Sequence, residues 1–222
     1  MNNNGHRQRL REKYLKGGIE GFLDYEILEL FLTYASPRKY CKAKSKELIE
    51  KFGSLEGVFN APKEKLLEIE DMGNASYILI KLFKDIQKYI YKEDKLRGRK
   101  ISSTKELIEY LNYDMANLQV EVFKIIFLDT QNVFINEKTI VVGTIDKSYI
   151  YPRELLKEIF EHNAKSVIFA HNHPSGNLNP SKADINFTNS MRSLLKELEI
   201  NLLDHVIIGT SGHYSFLEEN LL

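Results

Sequence analysis

Apolar residues recur at helical spacing through the first ninety or so residues of the chain. The clearest stretches cover residues 22–34, 41–52 and 75–91, where large apolar side chains return every three or four positions. Gly53 follows the second stretch, and the turn-forming sequence Asp71-Met72-Gly73-Asn74 precedes the third. The pattern predicts a small all-helical domain over residues 1–92.

After residue 100 the apolar positions form shorter runs that are typical of β-strands. Residues 120–128 and 133–142 are rich in β-branched and aromatic side chains and flank a turn sequence, which predicts an antiparallel pair. Helix patterns follow at residues 152–162 and 185–198, and strand patterns at residues 167–170, 201–208 and 214–216, so the two kinds alternate along most of the remaining chain. The alternation predicts an α/β domain over residues 101–222, with a mixed β-sheet flanked by helices.

The two predicted domains are separated by a short charged stretch. Residues 93–100 contain one glycine, and Leu96 is their only apolar residue. This composition predicts a linker between the domains.

Charge is distributed unevenly along a chain whose formal net charge is zero. Residues 1–100 carry 21 lysines and arginines against 15 aspartates and glutamates, an excess of six positive charges that the remaining residues cancel. A basic helical half permits contact with DNA, although a solvated basic surface explains the same excess equally well.

Composition also restricts where the protein works and how it can bind a metal. Cys41 is the only cysteine, so a metal site in this chain must use histidines and carboxylates. The first 14 residues are polar and basic, unlike a signal peptide, and no apolar run approaches the roughly 18 residues that span a bilayer. We therefore expect a cytoplasmic protein with no membrane partner.

The strongest chemical signal lies at residues 167–184. Four apolar residues that predict a buried strand run directly into His171 and His173. Side chains two apart on an extended chain leave from the same face, so both imidazoles can point at one spot. Asp184 lies in the predicted start of the next helix and can turn back toward them. Two imidazoles and a carboxylate are ligands that suit zinc.

A purely structural interpretation stands beside the metal site. The His-x-His pattern is common, and Ser181 with Asp184 also fits a capping box that serves only the helix start. The complete spacing His-x-His-x7-Ser-x2-Asp, placed between a strand and a helix, favours the metal site.

These residues resemble the JAMM (MPN+) metalloprotease motif, and the string His-Asn-His-Pro-Ser-Gly is similar to the bacterial RadC branch of that family. The resemblance covers most of the chain after residue 101, through segments that include Gly143-Thr144, residues 152–154 and Leu203-Asp204-His205. It implies a JAMM/MPN fold with cytidine-deaminase-like layering. RadC proteins carry a historical DNA-repair label, and their JAMM relatives include zinc-dependent isopeptidases.

The resemblance also implies roles for individual residues. His171, His173 and Asp184 are the expected ligands of Zn²⁺, Glu121 is the expected general base, and Ser181 is expected to donate a hydrogen bond to the oxyanion. Glu137, in the next predicted strand, is the main competitor of Glu121 for the role of base. His205 is either a partner that supports the site or a satisfied histidine of the core.

Residues 66–82 resemble the helix-hairpin-helix found at the front of RadC proteins, a module that presents backbone N–H groups to a DNA phosphate. Its turn usually has two glycines, whereas Asp71-Met72-Gly73 keeps only the second. Because Asp71 would repel a phosphate, the sequence gives DNA binding by this element limited support.

Three functions compete on this evidence. The first is a zinc-dependent hydrolase of peptide or isopeptide bonds, acting on a protein or peptide substrate. The alternative is a non-catalytic DNA-associated protein, a repair or recombination accessory, with a structural metal site. The third is a nuclease, for which the sequence supplies no ligands for a second metal. The oligomeric state is left open.

Overall fold

A computed structural model describes residues 3–36, 40–101, 104–143 and 150–222, so Thr144 of the predicted motif lies outside the described residues. Packing divides the chain into two compact units, residues 1–87 and residues 88–222. Helix α6 begins in the first unit and ends in the second, and each unit is considered by itself below.

Every regular element described in the first unit is a helix, as the spacing of its apolar residues predicts. The elements are α1 (Asn3–Gly17), α2 (Asp24–Ala35), α3 (Lys42–Phe52), α4 (Leu55–Asn60), α5 (Lys63–Leu67) and the first part of α6 (Asn74–Lys95). Gly53 ends α3 in the left-handed conformation, with φ of 82°, and the Ser54 side chain caps α4 by accepting a hydrogen bond from Gly57 N. Leu28, Leu48 and Ile80 belong to the buried core.

The second unit contains a mixed sheet of five strands. Its elements are α7 (Thr104–Met115), β1 (Val122–Leu128), β2 (Phe134–Val142), α8 (Pro152–Glu161), β3 (Ser166–Asn172), α9 (Lys182–Glu197), β4 (Asn201–Gly209) and β5 (Gly212–Ser215). The strand order is β2-β1-β3-β4-β5. Strands β3 and β4 are parallel, and the other neighbours are antiparallel.

Both faces of this sheet are covered by helices, because its central strands are apolar on both sides. On β1, Phe123 and Ile125 pack in one cluster with side chains of α8 and α9. Ile126 and Leu128 pack in the other cluster, with side chains of α7. The structure confirms the predicted α/β fold with helices flanking a mixed sheet.

The predicted linker differs from the structure. The division between the units falls after Gln87, and residues 93–95 complete helix α6. Leu96 is fully buried in the core of the second unit, and Lys100 forms a β-bridge with Val133. A charged stretch with a single apolar residue has the composition of a linker. In the structure that residue, Leu96, packs into the core and fixes the position of the stretch.

Among the described residues, none of the helices combines the length and the apolar character that crossing a bilayer requires.

Candidate metal centre

His171 and His173 lie where β3 ends, between β1 and β4. His171 is completely buried, and its ring stacks against Phe123 with the two planes 21° apart. His173 follows the strand, and its backbone N–H donates to Ile208 O at 2.9 Å. The two imidazoles converge as the alternation of a strand predicts, with 3.0 Å between their Nε2 atoms.

Asp184 approaches both histidines from the N-terminus of α9. Its Oδ1 lies 3.5 Å from His171 Nε2, and its Oδ2 lies 3.9 Å from His173 Nε2. Asp184 also forms the capping box, because its carboxylate accepts from Ser181 N at 2.7 Å while Ser181 Oγ accepts from Asp184 N at 3.1 Å. Asp184 can therefore cap α9 and lie beside the two histidines at the same time, and the cap holds its carboxylate next to the imidazoles.

Glu121 reaches the same place from the residue before β1. Ligand atoms of Glu121, His171 and His173 all lie within 4.8 Å of one another. The side chain of Asn172, between the two histidines, accepts from Val122 N at 2.8 Å and donates to Val120 O at 3.1 Å. Asn172 therefore holds the backbone on both sides of Glu121.

Glu137, the competing candidate for the base, lies on the other face of the sheet. Its carboxylate accepts from Tyr110 OH at 2.5 Å and pairs with Lys124 at 3.4 Å, among residues that pack with α7. Glu137 is therefore remote from the histidine pair, whereas Glu121 adjoins it.

A cleft of about 580 Å³ opens over the cluster. Glu121, His173, Ser181 and Asp184 line it together with neutral polar side chains, among them Gln119, Ser175, Asn177 and Asn179. All five residues singled out from the sequence thus meet at one place, since the fifth, His171, contacts His173 directly beneath the cleft.

Comparison with known proteins identifies relatives along nearly the whole chain. The sequence profile of the RadC-like JAB domain matches residues 101–221. The chain belongs to the RadC-like JAB domain family. A UPF0758 protein of Fusobacterium nucleatum is 44% identical over 99% of this chain and 98% of its own length. UPF0758 proteins of Ruegeria pomeroyi and Rhodobacter capsulatus are each 37% identical, over 98% and 96% of this chain and 97% and 100% of their own lengths.

Burial in this JAB domain keeps the innermost histidines neutral. It lowers the pKa of His171 to about 4; the charge of Asp184 acts in the opposite direction and His173 adds to the lowering. Burial also lowers the pKa of His205 well below its ordinary value. A neutral imidazole retains a lone pair, which is the form that coordinates a cation.

One wall of the cleft is a loop that the β4–β5 turn supports. Gly176, with φ of 78°, turns this loop after His173. Leu178 sits over Gly209, where an added Cβ atom would lie 2.8 Å from Leu178 Cδ2. His173 Nδ1 donates to the carbonyl of Asn177 at 2.5 Å, so the loop orients that ring.

Three residues near the site are not assigned a role by their local sequence. Asn172 appears only as the spacer of His-x-His, and Thr188 carries no motif. His205 is compatible with either of two roles, and the structure puts its Nε2 2.8 Å from His171 Nδ1. A helical position four residues after Asp184 is the one signal that marks Thr188 in the sequence.

Proposed function

We propose that this chain is a metal-dependent hydrolase of peptide or isopeptide bonds, with zinc held by His171, His173 and Asp184. The observation that carries the proposal is the 3.0 Å approach of two imidazole Nε2 atoms beside a carboxylate, at the base of a cleft. The family match supports a JAMM-type fold for the same residues.

The residues fit a zinc ion by the chemistry of their donor atoms. A carbonyl oxygen only accepts hydrogen bonds, so the contact with Asn177 O places a proton on His173 Nδ1 and leaves the lone pair of the neutral ring on Nε2. That lone pair faces His171, whose ring is neutral because burial lowers its pKa. Two nitrogen donors and one carboxylate oxygen form a set that zinc prefers.

When bound, zinc supplies Lewis acidity, which polarises a carbonyl group and makes water more acidic. Glu121 lines the cleft beside the histidines, so its carboxylate is placed to take a proton from water and to return it to the departing amine. The assignment of Asp184 as ligand and Glu121 as base follows the resemblance. Asp184 lies 3.5 Å and 3.9 Å from the two Nε2 atoms, and Glu121 lies close enough to the same histidines to be an alternative third ligand.

Ser181 is placed to stabilise negative charge that develops on the substrate. Its oxygen accepts from Asp184 N, which leaves the hydroxyl hydrogen to donate into the cleft. A preorganised donor of this kind contributes roughly a hundredfold or more in rate.

The lining of the cleft supports an amide substrate. Gln119, Asn177 and Asn179 present both donors and acceptors, which suit the backbone of a peptide. A phosphodiester would instead approach the carboxylates of Glu121 and Asp184, so the same lining counts against a nuclease.

The DNA-associated alternative rests on the first unit. Helix α5, a turn and helix α6 follow one another as a helix-hairpin-helix requires, and the unit belongs to the basic half of the chain. Asp71 occupies the turn with φ of 61°, and its negative charge would repel a DNA phosphate at this position. The hydrolase is therefore the better supported function.

The test is cleavage of peptide and isopeptide libraries by the full chain, followed by mass spectrometry, with zinc and after chelation. We expect zinc-dependent cleavage that falls by roughly a hundredfold to ten-thousandfold in Glu121→Gln, although this variant keeps its zinc. Ser181→Ala should keep zinc and lose roughly a hundredfold in rate.

Equal cleavage by Glu121→Gln and the wild type would contradict the role of Glu121. Zinc binding without any amide cleavage, together with retention on duplex DNA that declines steeply with salt, would favour the alternative.

A further inference from the structure

A chain of hydrogen bonds runs from the candidate metal centre into the core. His171 Nδ1 lies 2.8 Å from His205 Nε2. On the other side of that ring, His205 Nδ1 lies 2.6 Å from Thr188 Oγ1. Thr188 Oγ1 in turn donates to the carbonyl oxygen of Asp184 at 2.6 Å. The chain therefore links His171 and Asp184 through two residues that do not line the cleft.

The direction of each hydrogen bond follows from what each atom can donate. The carbonyl of Asp184 only accepts, so the single hydroxyl hydrogen of Thr188 is used there. The contact between Thr188 and His205 is then a hydrogen bond only if His205 Nδ1 carries the proton. A neutral His205 has its lone pair on Nε2, which accepts from His171 Nδ1–H.

We propose that Thr188 and His205 are positioning residues that fix the tautomer of His171, with the proton on Nδ1 and the lone pair of Nε2 facing His173 and Asp184. The consequence for metal binding rests on the proposed function, whereas the tautomer itself does not. The lone pair is set before a cation arrives, so binding requires no prior transfer of a proton from one ring nitrogen to the other.

The surroundings of His205 prevent its ring from finding other partners. The ring is completely enclosed and lies 4.9 Å from the centroid of Phe216, nearly parallel to it. Phe123 and Phe169 approach it edge-on, each with 5.9 Å between ring centroids. Because these aromatic neighbours offer no conventional acceptor, a rotated ring would lose both hydrogen bonds.

The neighbouring carboxylate serves a different part of the fold. Asp204 accepts from Ser215 Oγ at 2.6 Å and from the backbone N–H groups of His205 and Leu217, at 2.7 Å and 3.0 Å. It therefore holds the C-terminal turn. Thr188 is the residue that accepts the hydrogen bond from His205 Nδ1–H.

The experiment compares Thr188→Val, which removes the hydroxyl, with Thr188→Ser, which keeps it. The metal-free full chain, labelled with ¹⁵N, is examined by long-range ¹H–¹⁵N correlation, which shows which ring nitrogen of each histidine carries the proton. Zinc affinity of the same proteins is measured by competition with a chelator.

In the wild type and in Thr188→Ser we expect the proton of His171 on Nδ1 and equal zinc affinities. In Thr188→Val, the Nδ1–H group of His205 loses its acceptor, so the ring proton of His205 should move to Nε2. His205 then donates to His171 Nδ1, and the proton of His171 should move to its own Nε2. Zinc affinity should then fall by about tenfold to a hundredfold.

Finding the proton of His171 on Nε2 in the wild type would overturn the proposal. This test uses only the wild-type protein, so it does not depend on whether Thr188→Val folds. An unchanged tautomer, or an unchanged zinc affinity, in folded Thr188→Val overturns it as well. If the wild type shows the expected tautomer and binds no zinc, the positioning of His171 is supported while the proposed hydrolase fails.

Discussion

Two clusters of buried ionisable groups lie on opposite faces of the same sheet, and they differ in whether their charges are matched. The lysine cluster comprises Lys88, Lys92, Tyr110, Asp114, Lys124 and Glu137, on the face covered by α7. The histidine cluster comprises His171, His173, Asp184 and His205, at the end of β3. Burial alone does not distinguish them, since both contain side chains that are almost completely enclosed.

The carboxylates of the lysine cluster are paired with lysines, although Glu137 Oε2 is buried without a hydrogen-bond partner. The side chain of Lys124 is 3% exposed and pairs with Asp114 and Glu137, and Lys88 pairs with Asp114 at 2.5 Å. Burial opposes the ionisation of Asp114, yet the charges of Lys124 and Lys88 hold its pKa below the ordinary value. Opposite charges in contact need no further ligand, so this cluster is structural.

The histidine cluster lacks such a match. Its two Nε2 atoms face each other at 3.0 Å, and burial favours the uncharged form of His171. A cleft opens beside it, lined by His173 and Asp184. The comparison teaches that imidazole nitrogens and a carboxylate gathered beside a cleft, unlike carboxylates paired with lysines, form a candidate binding site for a cation.

The largest effect is expected from breaking the lysine cluster. Lys124→Met removes the cation that Asp114 and Glu137 share. Each carboxylate keeps only a more exposed lysine, Lys88 or Lys92, so the free energy of unfolding should fall by about 3 kcal/mol. Urea denaturation measures this loss. Zinc binding by the folded variant should match the wild type.

Lys157→Met is the matched control, because Lys157 is 64% exposed and its pair with Glu161 spans 3.8 Å. It should change the free energy of unfolding by less than about 1 kcal/mol. Similar losses for the two variants, or loss of zinc binding in Lys124→Met, would remove the distinction between the clusters.

A smaller effect is expected when the metal-free protein is acidified. The pKa of His171 falls from 6.5 to about 4 on folding, so the unfolded chain binds more protons between these values and stability declines as the pH falls through that window. Between pH 6.5 and 5 we expect His171 to contribute a loss of about 2 kcal/mol, to which His205 adds. Urea denaturation at several pH values measures the decline.

The control for acidification is His205→Gln. Glu29 and Asp204, whose pKa values are raised by burial, act in the opposite direction, and they are present in both proteins. Asp184 and His173 face the titrating ring in both as well. The stability of the variant should therefore depend less steeply on pH than that of the wild type, and equal slopes would contradict the account.

The smallest effect on stability is expected from His173→Ala. The side chain is 16% exposed at the edge of the cleft and has one hydrogen bond to the backbone, so the metal-free protein should lose about 1 kcal/mol or less. Zinc binding should nevertheless be lost. A large loss of stability with zinc binding retained would make the histidine cluster structural, like the lysine cluster.

The sequence predicts the parts of the site that depend on local periodicity. His171 and His173 share a face because alternate residues of a strand do so, and Ser181 with Asp184 marks a helix start wherever that helix packs. Thr188 and His205 are brought to His171 only by the packing of α9 and by the register of β3 with β4, in which Phe169 pairs with His205. Neither contact is encoded in spacing along the chain.

Tertiary contacts likewise explain where the predicted elements shift. Strand β1 begins at Val122, whereas the sequence pattern predicts a start at residue 120. The side chain of Asn172 forms hydrogen bonds with Val120 O and Val122 N in this segment. Lys124 interrupts an apolar run in the sequence, and only the partners from neighbouring elements explain why a lysine is buried there. The fold class could be predicted because helix spacing and strand spacing are local properties.

The most direct test of the central claim is anomalous diffraction, at the zinc edge, from crystals of the full chain grown with zinc. The account predicts one anomalous peak at the end of β3, with Nε2 of both His171 and His173 at about 2.0–2.1 Å and the Asp184 carboxylate completing the set. A map with no peak at these three side chains, or zinc held through an Nδ1 atom of either histidine, would contradict it.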